Sequence, residues 1–77
     1  MSDFYLEIRK YAKQLETLGF LKYSSKLLDA IEKGSTGGEI VMALRHNLQE
    51  LLKSEELSDA MKQQAKKFIS KINDTGW

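Results

Sequence analysis

Apolar residues recur along this chain every three or four positions, which is the spacing of amphipathic α-helices. The first segment with this pattern runs from about Asp3 to Leu18 and places its apolar residues on one narrow arc of a helical wheel. These residues are Phe4, Ile8, Tyr11, Leu15 and Leu18, with Ala12 beside them. Gly19 follows where a helix end needs left-handed backbone, and Phe20 follows where a Schellman motif packs a residue back on Leu15. We therefore predict a first helix that ends at this glycine.

The second segment, from about Leu21 to Lys33, repeats the pattern and is ended by Gly34. Its apolar side consists of Tyr23, Leu27, Leu28, Ala30 and Ile31. Ser24 falls within the same arc. We interpret it as a small residue that lets two helices approach closely, with its hydroxyl bonded to a carbonyl one turn back.

The third segment, from about Gly37 to Lys53, contains the longest run of consecutive apolar residues in the chain. Its apolar arc consists of Ile40, Val41, Leu44, Leu48, Leu51 and Leu52, and the opposite side carries Met42, His46, Gln49 and Lys53. Thr36 and Glu39 have the spacing of a capping box. We expect the Thr36 hydroxyl to accept from the backbone N–H of Glu39, and the Glu39 carboxylate to accept from the N–H of Thr36.

The fourth segment, from about Asp59 to Asn73, follows a turn over residues 54–57, with Ser58 as the expected N-cap. Its apolar stripe consists of Met61, Ala65, Phe68, Ile69 and Ile72. Beyond it, Trp77 either folds back on the core or remains free, and its large apolar area favours docking. Four amphipathic helices with short connections predict an all-α fold, a small antiparallel four-helix bundle with a single helical domain over residues 1–77.

Composition narrows the function without identifying it. The chain has 77 residues, no cysteine and no proline, with 42% hydrophobic and 30% charged residues. These values are typical of a small globular domain rather than a disordered tail, and they exclude disulfides and thiolate metal sites. The net charge of +1 argues against a general nucleic-acid binder and against an acidic mimic of DNA.

The chain shows no pattern of a targeting or membrane segment. Its first residues lack the basic region and the apolar run of a secretory signal. No apolar run approaches the ~20 residues that span a bilayer. We therefore expect a cytoplasmic protein.

The glycine-rich turn over residues 34–38 leads into a helix N-terminus, which is a general anion site. Its spacing is not that of a phosphate-binding Walker loop, and Glu39 places a carboxylate where an anion would bind. We therefore interpret the turn as a helix cap. Gly37 and Gly38 disfavour helix, so their presence indicates that a neighbouring helix or a partner approaches this backbone, and we favour the helix.

No catalytic, cofactor or metal site is predicted. His46 is the only histidine, and no carboxylate or nucleophile stands at a spacing that indicates acid–base catalysis. His46 and Glu50 together would supply two metal ligands, whereas structural zinc needs four. We therefore expect the chain not to be an enzyme.

Glu39, Met42, Arg45 and His46 are the residues we predict to bind a partner. A methionine beside charged residues on the polar side of a helix is typical of an adaptable protein-contact surface. Two alternatives stay open: another helix covers Met42, or Met42 and its neighbours mediate self-association.

The fourth helix carries four lysines that could neutralise phosphates, namely Lys62, Lys66, Lys67 and Lys71. They spread around the helix without arginine or interleaved aromatic residues, so a solvated face explains them better. A helix-turn-helix made of the second and third helices would have too long a turn and too apolar a second helix. A small nucleic-acid-binding or regulatory domain that uses Arg45 and these lysines is the alternative function.

The segment from Gly34 to Arg45, preceded by Gly19-Phe20 and Asp29-Ala30-Ile31, resembles a pattern in small helical bacterial proteins. Some of these proteins are encoded beside secreted toxins. The resemblance covers the middle part of the chain and implies an immunity protein that binds and neutralises one toxin domain. This chain lacks the acidic character of immunity proteins that block nuclease active sites. The resemblance therefore implies a toxin that is not a nuclease, or one bound away from its catalytic cleft.

Overall fold

The computed structural model describes residues 2–74, with side chains from Phe4 onward. Within that range it contains four helices and no strand: α1 (Ser2–Thr17), α2 (Leu21–Lys33), α3 (Gly37–Leu52) and α4 (Asp59–Asp74). Each helix packs closely on its neighbour in sequence, α1 on α2, α2 on α3 and α3 on α4. The antiparallel all-α four-helix bundle is confirmed. Trp77 lies outside the described residues.

The core follows the predicted apolar stripes of all four helices. The buried apolar side chains form one cluster, consisting of Ile8, Tyr11, Ala12, Leu15, Leu27, Val41, Leu44, Leu48, Leu51, Leu57, Met61, Ala65, Phe68 and Ile72. Ser24 is buried among them, as its place on the α2 arc predicted. The predicted bond of its hydroxyl to a carbonyl one turn back stays a prediction.

Two residues depart from the predicted core, and both lie outside the helices. Leu18 shares the α1 arc but is 57% exposed, because α1 ends at Thr17 and the chain reverses there. Phe20 is the residue that packs on the core at this corner. Leu57, which we assigned to a turn, is buried, so the connection between α3 and α4 supplies part of the core.

The predicted Schellman motif closes α1. Gly19 has a φ of +94°, in the left-handed region that favours glycine. The Phe20 N–H donates to the Leu15 carbonyl at 2.8 Å, and the Gly19 N–H donates to the Glu16 carbonyl at 3.0 Å. These two bonds define the motif and turn the chain sharply into α2.

The cap of α3 forms with one change of partner. The Thr36 Oγ1 accepts from the Glu39 N–H at 3.1 Å, as predicted. The Glu39 Oε2 accepts from the N–H of Ser35 at 3.2 Å, and not from that of Thr36 as we expected. The glutamate is long enough to reach one residue further upstream, so the cap includes the end of the connection as well as the first turn.

We predicted a close approach at Gly37 and Gly38, and the structure shows one at Gly34. A Cβ atom added to Gly34 would collide with Cγ1 of Ile40 and lie 3.0 Å from the Ala30 carbonyl oxygen. A Cβ atom added to Gly37 would meet nothing within 4 Å. The prediction of an adjacent helix is therefore wrong for Gly37 and stays a prediction for Gly38, and the tight contact forms where the chain leaves α2.

Side chains join α1 to α4 and close the bundle. The Tyr11 hydroxyl donates to the Met61 carbonyl at 2.9 Å, between two buried residues. The Phe68 ring meets the rings of Phe4 and Tyr11 edge-on, with centroids 6.0 Å and 5.4 Å away. Edge-to-face pairs of this kind stabilise a core beyond the area that they bury.

Candidate partner-binding face

The side of α3 that points away from the bundle forms a continuous exposed strip. We call Glu39, Met42, His46 and Gln49 the α3 outer face; these residues follow one another at helical spacing and all four are exposed. The strip exists because the apolar arc of α3 already faces α2 and α4, so no helix within residues 2–74 covers the remaining side. Met42 is 61% exposed, so the alternative in which another helix covers it is wrong for the described part of the chain. Self-association through Met42 stays a prediction.

Met42 is the apolar centre of the α3 outer face. It is 61% exposed and stands between charged and amide residues. A methionine is unbranched and polarisable, so it adapts to irregular partner surfaces at small cost in strain. This combination can bury an apolar side chain within a polar rim when another protein docks.

Arg45 lies at the edge of this face and turns toward α4. It is half-buried, and its Nη1 lies 3.5 Å from Oδ1 of Asn73. The structure therefore places Glu39, Met42 and His46 together and sets Arg45 to one side. Arg45 therefore helps to fix α3 against α4, and it stands three residues after Met42 in the sequence.

Glu39 has a structural role that limits its freedom. Its carboxylate accepts from the Ser35 N–H, and its own N–H is capped by Thr36. The turn before α3 is thus held by its own side chains, which agrees with the interpretation of the glycine-rich stretch as a cap rather than an anion site.

Within residues 4–74, no hydrogen bond or ion pair joins His46 to a carboxylate or a hydroxyl. Glu50, one turn further along α3, is held instead by Lys53, whose Nζ lies 3.2 Å from Oε2. The hydrogen bond from Lys53, with its charge, lowers the pKa of Glu50, and the charges of His46 and Lys26 contribute less. The described residues contain no group of three or more histidine, cysteine or acidic side chains placed to hold a metal.

A second feature, which the sequence analysis missed, is a groove between α1 and α4. It has a volume of about 290 Å³ and is lined by Glu7, Lys10, Tyr11, Gln14, Gln64, Lys67, Phe68 and Lys71. The sequence carried a partial signal, since Gln64, Lys67 and Lys71 follow one flank of the α4 stripe at helical spacing. A helical wheel describes one helix at a time, so it could not show that Lys10 and Gln14 of α1 lie opposite that flank of α4.

No helix within residues 2–74 has both the length and the hydrophobicity to cross a bilayer. The chain matches no protein-family model, no curated protein and no solved structure.

Proposed function

We propose that this chain is a non-enzymatic, cytoplasmic protein-binding module, and specifically an immunity protein that neutralises a bacterial toxin domain. The observation that carries the binding part is the 61% exposure of Met42 at the centre of the α3 outer face. The resemblance of residues 34–45 to toxin-associated helical proteins supports the more specific part.

Inhibition would be steric and would need no chemical step. The α3 outer face is held in its binding conformation before the encounter, because α3 packs on two helices and its start is capped. A preformed helix loses little conformational freedom on binding, which favours affinity. Met42 would anchor the complex, while the charges of Glu39 and Arg45 would steer the encounter.

The test measures binding to the product of the adjacent gene by titration calorimetry. We expect Met42→Ala to weaken binding about ten-fold or more, as the loss of a central apolar anchor does. Leu6→Ala is the matched control, because Leu6 is a similarly exposed apolar residue, at 51%, on α1. Arg45→Ala should have a smaller effect, mainly on the association rate.

The same titration shows what would reject the proposal. Unchanged affinity for both Met42→Ala and Arg45→Ala would exclude the α3 outer face as the binding site. An equal loss with Leu6→Ala would show that the Met42 effect is not specific. If the adjacent product is an active toxin, an equimolar amount of this chain should abolish its activity, and full activity in the complex would reject the immunity role.

A further inference from the structure

The interface between α1 and α4 differs from the other helix–helix interfaces of the bundle. The three helix pairs that are adjacent in sequence pack closely. In contrast, long side chains bridge α1 and α4 and leave the groove of about 290 Å³ open to solvent. Lys71 Nζ lies 3.0 Å from Glu7 Oε2 on one part of the groove, and Gln64 Nε2 lies 3.5 Å from Gln14 Oε1 on another.

The floor of this groove is apolar and firmly held. Phe68 and Tyr11 form it, with 8% and 1% of their surfaces exposed. Their rings are in edge contact, and the Tyr11 hydroxyl is anchored on the Met61 carbonyl. The floor therefore keeps its shape whether or not a ligand is present.

The rim of the groove carries a surplus of positive charge. Lys71 is paired with Glu7. Lys10 on α1 and Lys67 on α4 line the groove from opposite sides. Neither forms an ion pair with an acidic residue among the described residues. Two uncompensated cations above an apolar floor favour a ligand that brings both carboxylates and apolar atoms.

We propose that the α1–α4 groove is a docking site for an acidic peptide segment of a protein partner. Carboxylates of that segment pair with Lys10 and Lys67, and one apolar side chain lies over Phe68 between them. The volume of the groove suits one or two side chains, so the bound element is a short segment. This site is separate from the α3 outer face, and the inference does not rest on the function proposed for that face.

A nucleic acid fits the same groove less well. Sequence-tolerant binding of single strands depends on several bases that stack in succession along a basic channel, whereas a groove of about 290 Å³ has room for only one or two side chains. The groove has no arginine, and Glu7 places a carboxylate among its lysines. The positive charge of the groove therefore extends over too short a distance to follow a phosphate backbone, but it is sufficient to pair with a few carboxylates.

The test uses a fluorescein-labelled, glutamate-rich peptide that carries two leucines, with fluorescence anisotropy as the readout. The matched peptide has glutamine in place of every glutamate. We expect the acidic peptide to bind and the glutamine peptide to bind at least several-fold more weakly. The double variant Lys10→Gln/Lys67→Gln should raise the Kd for the acidic peptide roughly five- to thirty-fold, as the loss of two exposed charge pairs allows.

The control variant Lys22→Gln/Lys66→Gln has the same net charge, and its lysines are exposed outside the groove. It should change the Kd less than two-fold. Equal losses in the two double variants would overturn the proposal, since net charge alone would explain them. No binding of the acidic peptide would overturn it as well.

Further measurements distinguish the acidic peptide from two other ligands of the groove, a nucleic acid and a second copy of this chain. They also distinguish the groove from the α3 outer face. Tighter binding of a single-stranded oligonucleotide than of the acidic peptide, lost in Lys10→Gln/Lys67→Gln, would assign the groove to nucleic acid and overturn the proposal. A concentration-dependent mass in light scattering, lost in that variant, would assign it to a second copy and also overturn it. Retained peptide binding by Met42→Ala would support a site independent of the α3 outer face.

Discussion

Gly34 lies in the connection between α2 and α3, and Gly37 is the first residue of α3, but their surroundings differ. A side chain at Gly34 would collide with Ile40 and press on the Ala30 carbonyl, whereas a side chain at Gly37 would enter open space. We expect Gly34→Ala to lower the free energy of unfolding by about 1 to 3 kcal/mol, the usual cost of overpacking. Gly37→Ala should leave it unchanged or raise it by up to about 1 kcal/mol, because alanine restricts the unfolded chain.

Urea unfolding of the two variants under identical conditions decides this prediction. Each variant is the control for the other, because both add one methyl group near the start of α3. Equal effects of the two substitutions would show that the close contact at Gly34 does not form.

Tyr11 connects the core of α1 to the backbone of α4 through its hydroxyl. Tyr11→Phe keeps the ring and removes the bond to the Met61 carbonyl. We expect the free energy of unfolding at neutral pH to fall by about 0.5 to 1.5 kcal/mol, the net value of one such hydrogen bond. Circular dichroism during urea unfolding measures the change, and a stability equal to that of the wild type would show that the bond contributes nothing.

Because the Tyr11 hydroxyl is buried, we also expect the free energy of unfolding to depend on pH in the alkaline range. Burial raises the pKa of Tyr11 from 10.0 to about 12 in the folded chain. Between these values the unfolded chain loses the proton while the folded chain keeps it, so stability falls as pH rises from about 10 to 12. Tyr11→Phe should reduce this fall, and parallel pH profiles for the two proteins would contradict the assignment.

The start of α3 is the element whose local signals are most explicit. Thr36 supplies the side-chain acceptor for the Glu39 N–H. We expect Thr36→Ala to lower the free energy of unfolding by about 1 kcal/mol, a typical cost for the loss of an N-cap. Thr36→Ser keeps the hydroxyl and should stay close to the wild type. Urea unfolding of both variants is the measurement, and equal losses would mean that the methyl group matters rather than the cap.

Local signals account for most of the helical elements and for the character of their faces. The α3 arc and its exposed opposite side follow from helical spacing, because one side of a helix needs cover and the other does not. The failures have non-local causes. Leu18 lies on the correct arc but beyond the last turn of α1, and Leu57 is buried because the connection between α3 and α4 brings it onto the core.

The candidate sites show the same division at a larger scale. The sequence left open whether Met42 is exposed or covered. Only the packing of the helices decides this, because it shows which side of α3 another helix covers. The groove could not be predicted, because it is lined by Lys10 and Lys67, which belong to the two helices furthest apart in sequence. Side-chain spacing within one helix carries no information on which helix lies opposite.

At the scale of the whole molecule, a chain of 77 residues has one core and a limited reserve of stability. At typical values per residue, the free energy of unfolding is of the order of 4 to 12 kcal/mol. The loss of one well-packed core side chain is therefore a large part of the total. Binding experiments on such a chain need variants whose folding is known to be intact.

Leu44 and Met42, which lie on the same helix, allow an effect on folding to be distinguished from an effect on binding. Leu44 is fully buried, and Met42 is 61% exposed. We expect Leu44→Ala to lower the free energy of unfolding by about 2 to 5 kcal/mol, through lost burial and the cavity left behind. Met42→Ala should change it by less than about 0.5 kcal/mol, as exposed substitutions do. Urea unfolding checks both values. If Met42→Ala also destabilised the chain by several kcal/mol, Met42 would be covered in solution, and the α3 outer face would not be free to bind a partner.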